Sequence, residues 1–288
     1  DIEKLCEEVD FVFCAVDMKK DEIRVLEARI ARAETPVVSN NSAHRWTPDV
    51  PVMIPEINPD HADIIPVQRK RLGTKYGFIT AKPNCSIQSY VPALSPLRDF
   101  GLEKIIVCTY QAISGAGKTF ADWPEMTGNL IPYIGGEEEK SELEPLRIWG
   151  SVEGDRIVQA DAPVISAQCY RVAVQEGHTA AVAVSFSKKP PRDEILSRWA
   201  SFKGLPQMRG LPSAPVPFLR YLEDDNRPQP LLDAEAGNGM AVSIGRLRED
   251  PILDWRFCCL SHNTLRGAAG GAVLTAELLV DKGYIRHK

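Results

Sequence analysis

The sequence has no Cys-x-x-Cys pair, no excess of positive charge, no apolar run of membrane-spanning length and, ahead of its first strand-like segment, no glycine-rich turn. Each lack narrows the function. Without paired spacing, the seven cysteines (6, 14, 85, 108, 169, 258 and 259) indicate neither a zinc site nor a disulfide framework, so no metal is expected. A net charge of −5 argues against nucleic acid or an anionic membrane as the main partner, because both recruit a basic excess. Small molecules are the better expectation. No signal-peptide pattern opens the chain, and the expected compartment is the cytoplasm.

What is present is a chain of 288 residues, enough for two domains. Residues 9–16 form an apolar run typical of a buried parallel strand. A helix is expected over 22–33, with Val25, Leu26 and Ile30 on one face, and Pro36-Val37-Val38-Ser39 reads as the next strand. This βαβ rhythm predicts an α/β, Rossmann-like nucleotide-binding sheet with its ligands at the carboxyl ends of the strands. Asn40, Asn41, Ser42 and Arg45 follow the second strand and offer groups suited to phosphate oxygens. A fold of this kind should open with strand, glycine-rich turn and helix, a unit of about 30 residues. None precedes Val9, so either the nucleotide domain is incomplete at its N-terminal side or the Rossmann reading is wrong.

The strongest local signal is Lys82-Pro83-Asn84-Cys85-Ser86, where a turn sets a cysteine at the head of an apolar run. Ile87, Tyr90, Val91, Leu94 and Leu97 recur at helical spacing, which places Cys85 in a first helical turn. There, unpaired N–H groups and the helix dipole would favour thiolate, although a buried core cysteine is the common alternative. Pro92 should kink or break that helix.

Beyond Cys85 the pattern changes to long strands. Residues 105–110 lead into Gln111 and the small-residue loop Ser114-Gly115-Ala116-Gly117, which lets a ligand approach backbone closely. The charges at 137–140 read as a solvated run. If 171–174 and 179–186 are antiparallel strands joined through Gln175-Glu176-Gly177, Arg171 and His178 sit near one end of the sheet. One could clamp a carboxylate and the other could exchange a proton. A helix is expected around Ile195, Leu196 and Trp199, an irregular Pro-rich stretch over 205–235, and a buried strand over 255–260. Asn263-Thr264-Leu265-Arg266-Gly267-Ala268-Ala269-Gly270-Gly271 is expected to start the last helix.

Taken in order, Pro83 to Ser86, Thr109 to Gly117, Ile131 to Ile134 with Glu137 to Lys140, Arg171-Val172 with Gly177-His178-Thr179, and Asn263 to Gly271 resemble the aspartate-semialdehyde dehydrogenase family, in its archaeal and fungal branch. The resemblance implies NADPH-dependent reductive dephosphorylation of L-aspartyl 4-phosphate, through a Cys85 thioester, on the route to lysine, threonine and methionine. It implies that His178 handles protons and that Gln111 orients the acyl group. Arg171 with Glu137 would hold the substrate's carboxylate and amino group, and Asn84, Arg45 and Lys140 its phosphate. NADP would be bordered by Asn40, Ser114, Gly115, Gly117, Asn263 and Thr264, and the protein would be a homodimer or homotetramer. Ile87 stands where the family has threonine, and Ala173 where proline is common.

The expected organisation is a nucleotide-binding domain at 1–84, completed by the C-terminal helix at 264–288. Residues 85–263 form an α+β catalytic and dimerisation domain with a mainly antiparallel sheet. The alternatives are a malonyl-CoA-type reductase of the same architecture and a non-catalytic truncated remnant.

Overall fold

A computed structural model describes residues 2–287. Helix α1 (Ile2–Glu8) precedes β1 (Val12–Cys14), α2 (Lys20–Arg32) and β2 (Val37–Ser39), and α3 (Ile65–Leu72) leads to β3 (Ile79–Ala81). The three strands form one parallel sheet in the order β1-β2-β3. Its βαβ rhythm matches the expectation, but the buried stripe of α2 differs. Ile23, Glu27 and Ala31 point inward while Val25 is 70% exposed, so the helix is rotated from the face that aliphatic spacing suggested. The Glu27 carboxylate explains this, because it accepts hydrogen bonds from the Ser39 hydroxyl and the Asn41 amide at the end of β2.

After β3 the chain is helical in pieces: a 3₁₀ turn at Ser86–Gln88, α4 at Val91–Leu94 and a second 3₁₀ turn at Ser95–Phe100. Pro92 and Pro96 break the run, yet Ile87, Tyr90, Val91, Leu94 and Leu97 are all buried as their spacing predicts. Next come β4 (Leu102–Gln111), β5 (Leu130–Ile131), α5 (Glu137–Ile148), the small hairpin β6 (Ser151–Glu153) and β7 (Arg156–Val158), β8 (Val164–Val172) and β9 (His178–Phe186). The Pro-rich stretch is more ordered than its composition suggests. After α6 (Arg192–Ser201) it holds α7 (Leu205–Arg209), β10 (Leu219–Leu222) and α8 (Pro230–Asp233), ahead of β11 (Val242–Glu249), β12 (Trp255–Ser261) and α9 (Ala269–Asp281).

The second sheet has seven strands in the order β10-β11-β12-β9-β4-β8-β5. It is mainly antiparallel, with parallel pairing only at β10–β11 and β4–β8 among the described residues. β8 and β9 are therefore not neighbours, as the sequence suggested; β4 lies between them and the 173–177 link steps over its end. Because β4 pairs in parallel with β8 up to Gln111 opposite Arg171, and β9 begins at His178, three polar side chains still meet at one end.

One face of this sheet, including Ile105, Val107, Val182 and Val184, packs into the main core with α4. On the other face Ile106 and Val164 are 48% and 71% exposed, and the Tyr110 and Tyr170 rings stack with centroids 5.8 Å apart. A second cluster joins Val38 and Phe78 to Ala272, Ala276 and Leu278 of α9, which seats this helix on the parallel sheet. α9 starts later than expected, at Ala269. Residues 262–268 are turns instead, because the Arg266 carbonyl accepts from Lys82 and its guanidinium is held by Glu56.

Candidate active site

Cys85 sits just after β3, where the Pro83-Asn84 turn faces the ends of β4, β8 and β9. Asn84 fixes this turn locally: its side-chain oxygen accepts from the Ser86 N–H (2.8 Å) and hydroxyl (2.6 Å), while its own N–H donates to Glu144 at 2.6 Å. The Cys85 Sγ lies 3.4 Å from His178 Nε2. On the other side of the ring, the Ala112 N–H donates to His178 Nδ1 at 3.1 Å. A nitrogen that accepts cannot carry the proton, so the neutral imidazole bears it on Nε2, aimed at the sulfur. Burial, with Arg171 and His262 adding like charge, pulls the His178 pKa down to about 3.

The thiol corrects the sequence expectation. Cys85 caps a three-residue 3₁₀ turn rather than a full helix, so little dipole acts on it. Burial pushes its pKa up to about 11, and the Glu137 carboxylate pushes the same way against Arg45 and Arg171. The resting group is a thiol, not a preformed thiolate.

Behind the pair, Arg171 is buried and donates through Nη1 to the Ala112 carbonyl at 2.6 Å. Gly115 leaves the room: a Cβ there would lie 2.9 Å from His178 Cε1 and 3.0 Å from Arg171 Nη1. The run 137–140 is not simply solvated, because Glu137 turns inward from the head of α5. It accepts from the Asn84 amide (3.0 Å), Gln111 Nε2 (3.3 Å) and Lys140 Nζ (2.7 Å). Arg45 is likewise committed, to Glu144 (2.9 Å) and the Lys82 carbonyl (2.8 Å), while reaching the cleft.

The cleft itself is about 190 Å³ and is lined by Cys85, Asn40, Asn84, Arg45, Ser114, Gly115, Asn263, Thr264, Gly267 and Ala268. Gly117 does not line it; its φ of 67° ends the 3₁₀ turn in open space. Asn263 donates to Ser114 Oγ (2.7 Å) and accepts from the Gly177 N–H (2.8 Å), and Glu176 takes the Ser114 and Thr264 hydroxyls. Glu144 and Glu176 were not singled out from the sequence. Glu144 was within reach, being seven residues after Glu137 on one helical face, with Ser141 also buried between them.

The buried Asn40 Oδ1 has no hydrogen-bond partner, and Gly115, Gly267 and Ala268 leave part of the wall without bulky side chains. An unsatisfied amide acceptor beside a flat, small-residue wall fits a carboxamide-bearing ring. Asn40, Ser114, Gly115, Asn263 and Thr264 could hold that end of a nicotinamide cofactor.

A thiol paired with a histidine, set between a parallel βαβ unit and a mixed sheet, suits covalent chemistry at an acyl carbon, and the family models make the class that of the semialdehyde dehydrogenases. The family model for the semialdehyde dehydrogenase NAD-binding domain matches residues 1–65, and that for the semialdehyde dehydrogenase dimerisation domain matches residues 94–266. Within that class the chain belongs to the aspartate-semialdehyde dehydrogenase family. It is 42% identical to the enzyme of Archaeoglobus fulgidus over 278 residues, covering 96% of this chain and 79% of that one. The Aspergillus fumigatus enzyme is 39% identical, with 96% and 78% covered. The crystal structure of the Candida albicans enzyme with NADP superposes with a TM-score of 0.86 at 36% identity, covering 96% of this chain and 79% of that one.

Proposed function

We propose that the chain performs its family's reaction, NADPH-dependent reductive dephosphorylation of L-aspartyl 4-phosphate to L-aspartate 4-semialdehyde, with Cys85 as nucleophile. The observation that carries this is the 3.4 Å approach of His178 Nε2 to Cys85 Sγ, with the other ring nitrogen occupied by the Ala112 N–H. Sγ attacks the acyl carbon; a C–S bond forms, the C–O bond to phosphate breaks, and the thiol proton leaves with the phosphate. Splitting the substitution in this way replaces one difficult step with two easier ones. The Nε2–H is placed to hydrogen-bond charge developing on sulfur and on the tetrahedral oxygen, and the thiolate released with the product takes its proton from solvent. NADPH, when bound, supplies the hydride.

Arg171 is assigned to the substrate carboxylate, because its guanidinium is oriented by the Ala112 carbonyl and can present a bidentate face. Glu137 is assigned to the amino group, Gln111 to the acyl oxygen, and Asn84, Arg45 and Lys140 to phosphate. Gly117 is assigned to the cofactor loop only through its turn.

Residues 1–84 with 264–288 would form the nucleotide domain and 85–263 the catalytic domain. The open face of the large sheet, with Ile106, Val164 and the Tyr110–Tyr170 stack, is where a second copy would pack as a homodimer. The test is phosphate-dependent reduction of NADP⁺ by aspartate semialdehyde; reduction that needs no phosphate, or prefers malonyl-CoA as the reverse substrate, would overturn the assignment.

A further inference from the structure

Lys82 is 1% exposed, and among the described residues no carboxylate forms an ion pair with it. Its Nζ donates instead to the Arg266 carbonyl at 3.1 Å, a contact across 184 residues of sequence. Burying an amine without a paired carboxylate works against stability, so its place here calls for a return of another kind. The surroundings make the cost worse. Burial pulls the Lys82 pKa down to about 7, with the Arg266 and Arg45 cations pushing the same way against Glu56 and the Cys85 thiol. Glu56 is itself taken by Arg266, through bonds of 2.6 and 2.5 Å.

The two ends of the Lys82–Arg266 contact both lead to the cleft. Lys82 is three residues before Cys85, and its carbonyl holds Arg45. Arg266 precedes Gly267, whose added Cβ would lie 2.7 Å from Cys85 Cβ, so this backbone packs directly on the nucleophile. Gly271 makes the contact possible: a Cβ there would be 2.2 Å from Lys82 Nζ and 2.4 Å from the Arg266 oxygen.

We propose that Lys82 is a positioning residue, whose bond to the Arg266 carbonyl fixes the spacing between the Cys85 turn and the 262–268 loop and hence the width of the cleft where thiol and cofactor meet. This rests on the dehydrogenase reading above.

The test compares the whole chain with Lys82→Met, Lys82→Gln and Gly271→Ala, by steady-state kinetics, thermal unfolding and hydrogen exchange of residues 262–271. Methionine, like glutamine one atom shorter than lysine, keeps an unbranched chain without the donor; Gly271→Ala breaks the contact from the other side. Both should lower kcat about tenfold or more, as a misplacement of less than 1 Å can, while the KM of aspartate semialdehyde changes less than about twofold. Met should unfold no earlier than the parent, since a buried amine is removed. Gln, one atom short but still a donor, should recover part of kcat. Exchange at 262–271 should quicken in Met and Ala. An unchanged kcat in Lys82→Met, or a kcat loss that only follows lost stability, overturns the proposal. Exchange needs no substrate: a parent without turnover sinks the dehydrogenase reading alone, whereas unchanged exchange in both variants sinks the role of Lys82.

Discussion

Alkylation of Cys85 by iodoacetamide in the free protein should rise about tenfold per pH unit through the neutral range, without a plateau, because only the thiolate reacts. With the thiol near 11, four units above neutrality, the reactive fraction at pH 7 is about one in ten thousand. Glu137 is the named charge that opposes ionisation, and Glu137→Gln removes it while freeing Lys140 from its 2.7 Å pair. Both changes favour thiolate, so the variant should react about tenfold faster at pH 7, a shift of about one unit. The assay is mass-spectrometric quantification of the labelled Cys85 peptide at a series of pH values. A plateau beginning below pH 8 would show a preformed thiolate, and slower labelling in Glu137→Gln would reverse the assigned sign. Either result refutes the picture of a resting thiol that becomes nucleophilic only with substrate in place.

His178→Ala should lower kcat by about 10²–10³, the usual worth of a hydrogen-bond donor aimed at developing charge, with the fold intact by circular dichroism. Because His178 titrates near 3 rather than 6.5, it stays neutral across the working range, and kcat/KM should show no acid limb between pH 5 and 7 from this group. Arg171→Lys should raise substrate KM more than it lowers kcat, since lysine cannot clamp a carboxylate bidentately; an unchanged KM would remove Arg171 from the substrate. Glu56→Gln leaves the Arg266 guanidinium buried without its countercharge and should destabilise the fold by about 3–5 kcal/mol in urea unfolding. Lys82 has a folded pKa below its unfolded 10.5, so the unfolded chain binds its proton more tightly; its contribution to stability rises with pH from about 7 to 10.5 and should be absent in Lys82→Met.

Local chemistry was legible in the sequence wherever it depended on neighbours in the chain. The Pro-Asn turn before Cys85, the apolar spacing after it and the βαβ rhythm of the first sheet all needed only near neighbours. The order of the large sheet did not follow, because the short 173–177 link looks like a hairpin and nothing local shows β4 inserting between β8 and β9. The thiol's state was misread for the same reason: turn position suggests a low pKa, but burial and Glu137, 52 residues away, decide it. Glu56 carries no motif, and Lys82, although it opens the Cys85 signal, shows no role of its own there. Their meaning arises from Arg266, which meets them only when α9 closes onto the parallel sheet.

The central claim is that the acyl group is carried on Cys85. The most direct measurement is mass spectrometry of the intact chain and its Cys85 peptide after incubation with aspartate semialdehyde and NADP⁺ in the absence of phosphate. The account predicts an aspartyl adduct on Cys85 that vanishes when phosphate is added and never forms in Cys85→Ala. An adduct on another cysteine, or turnover that survives Cys85→Ala, would contradict it.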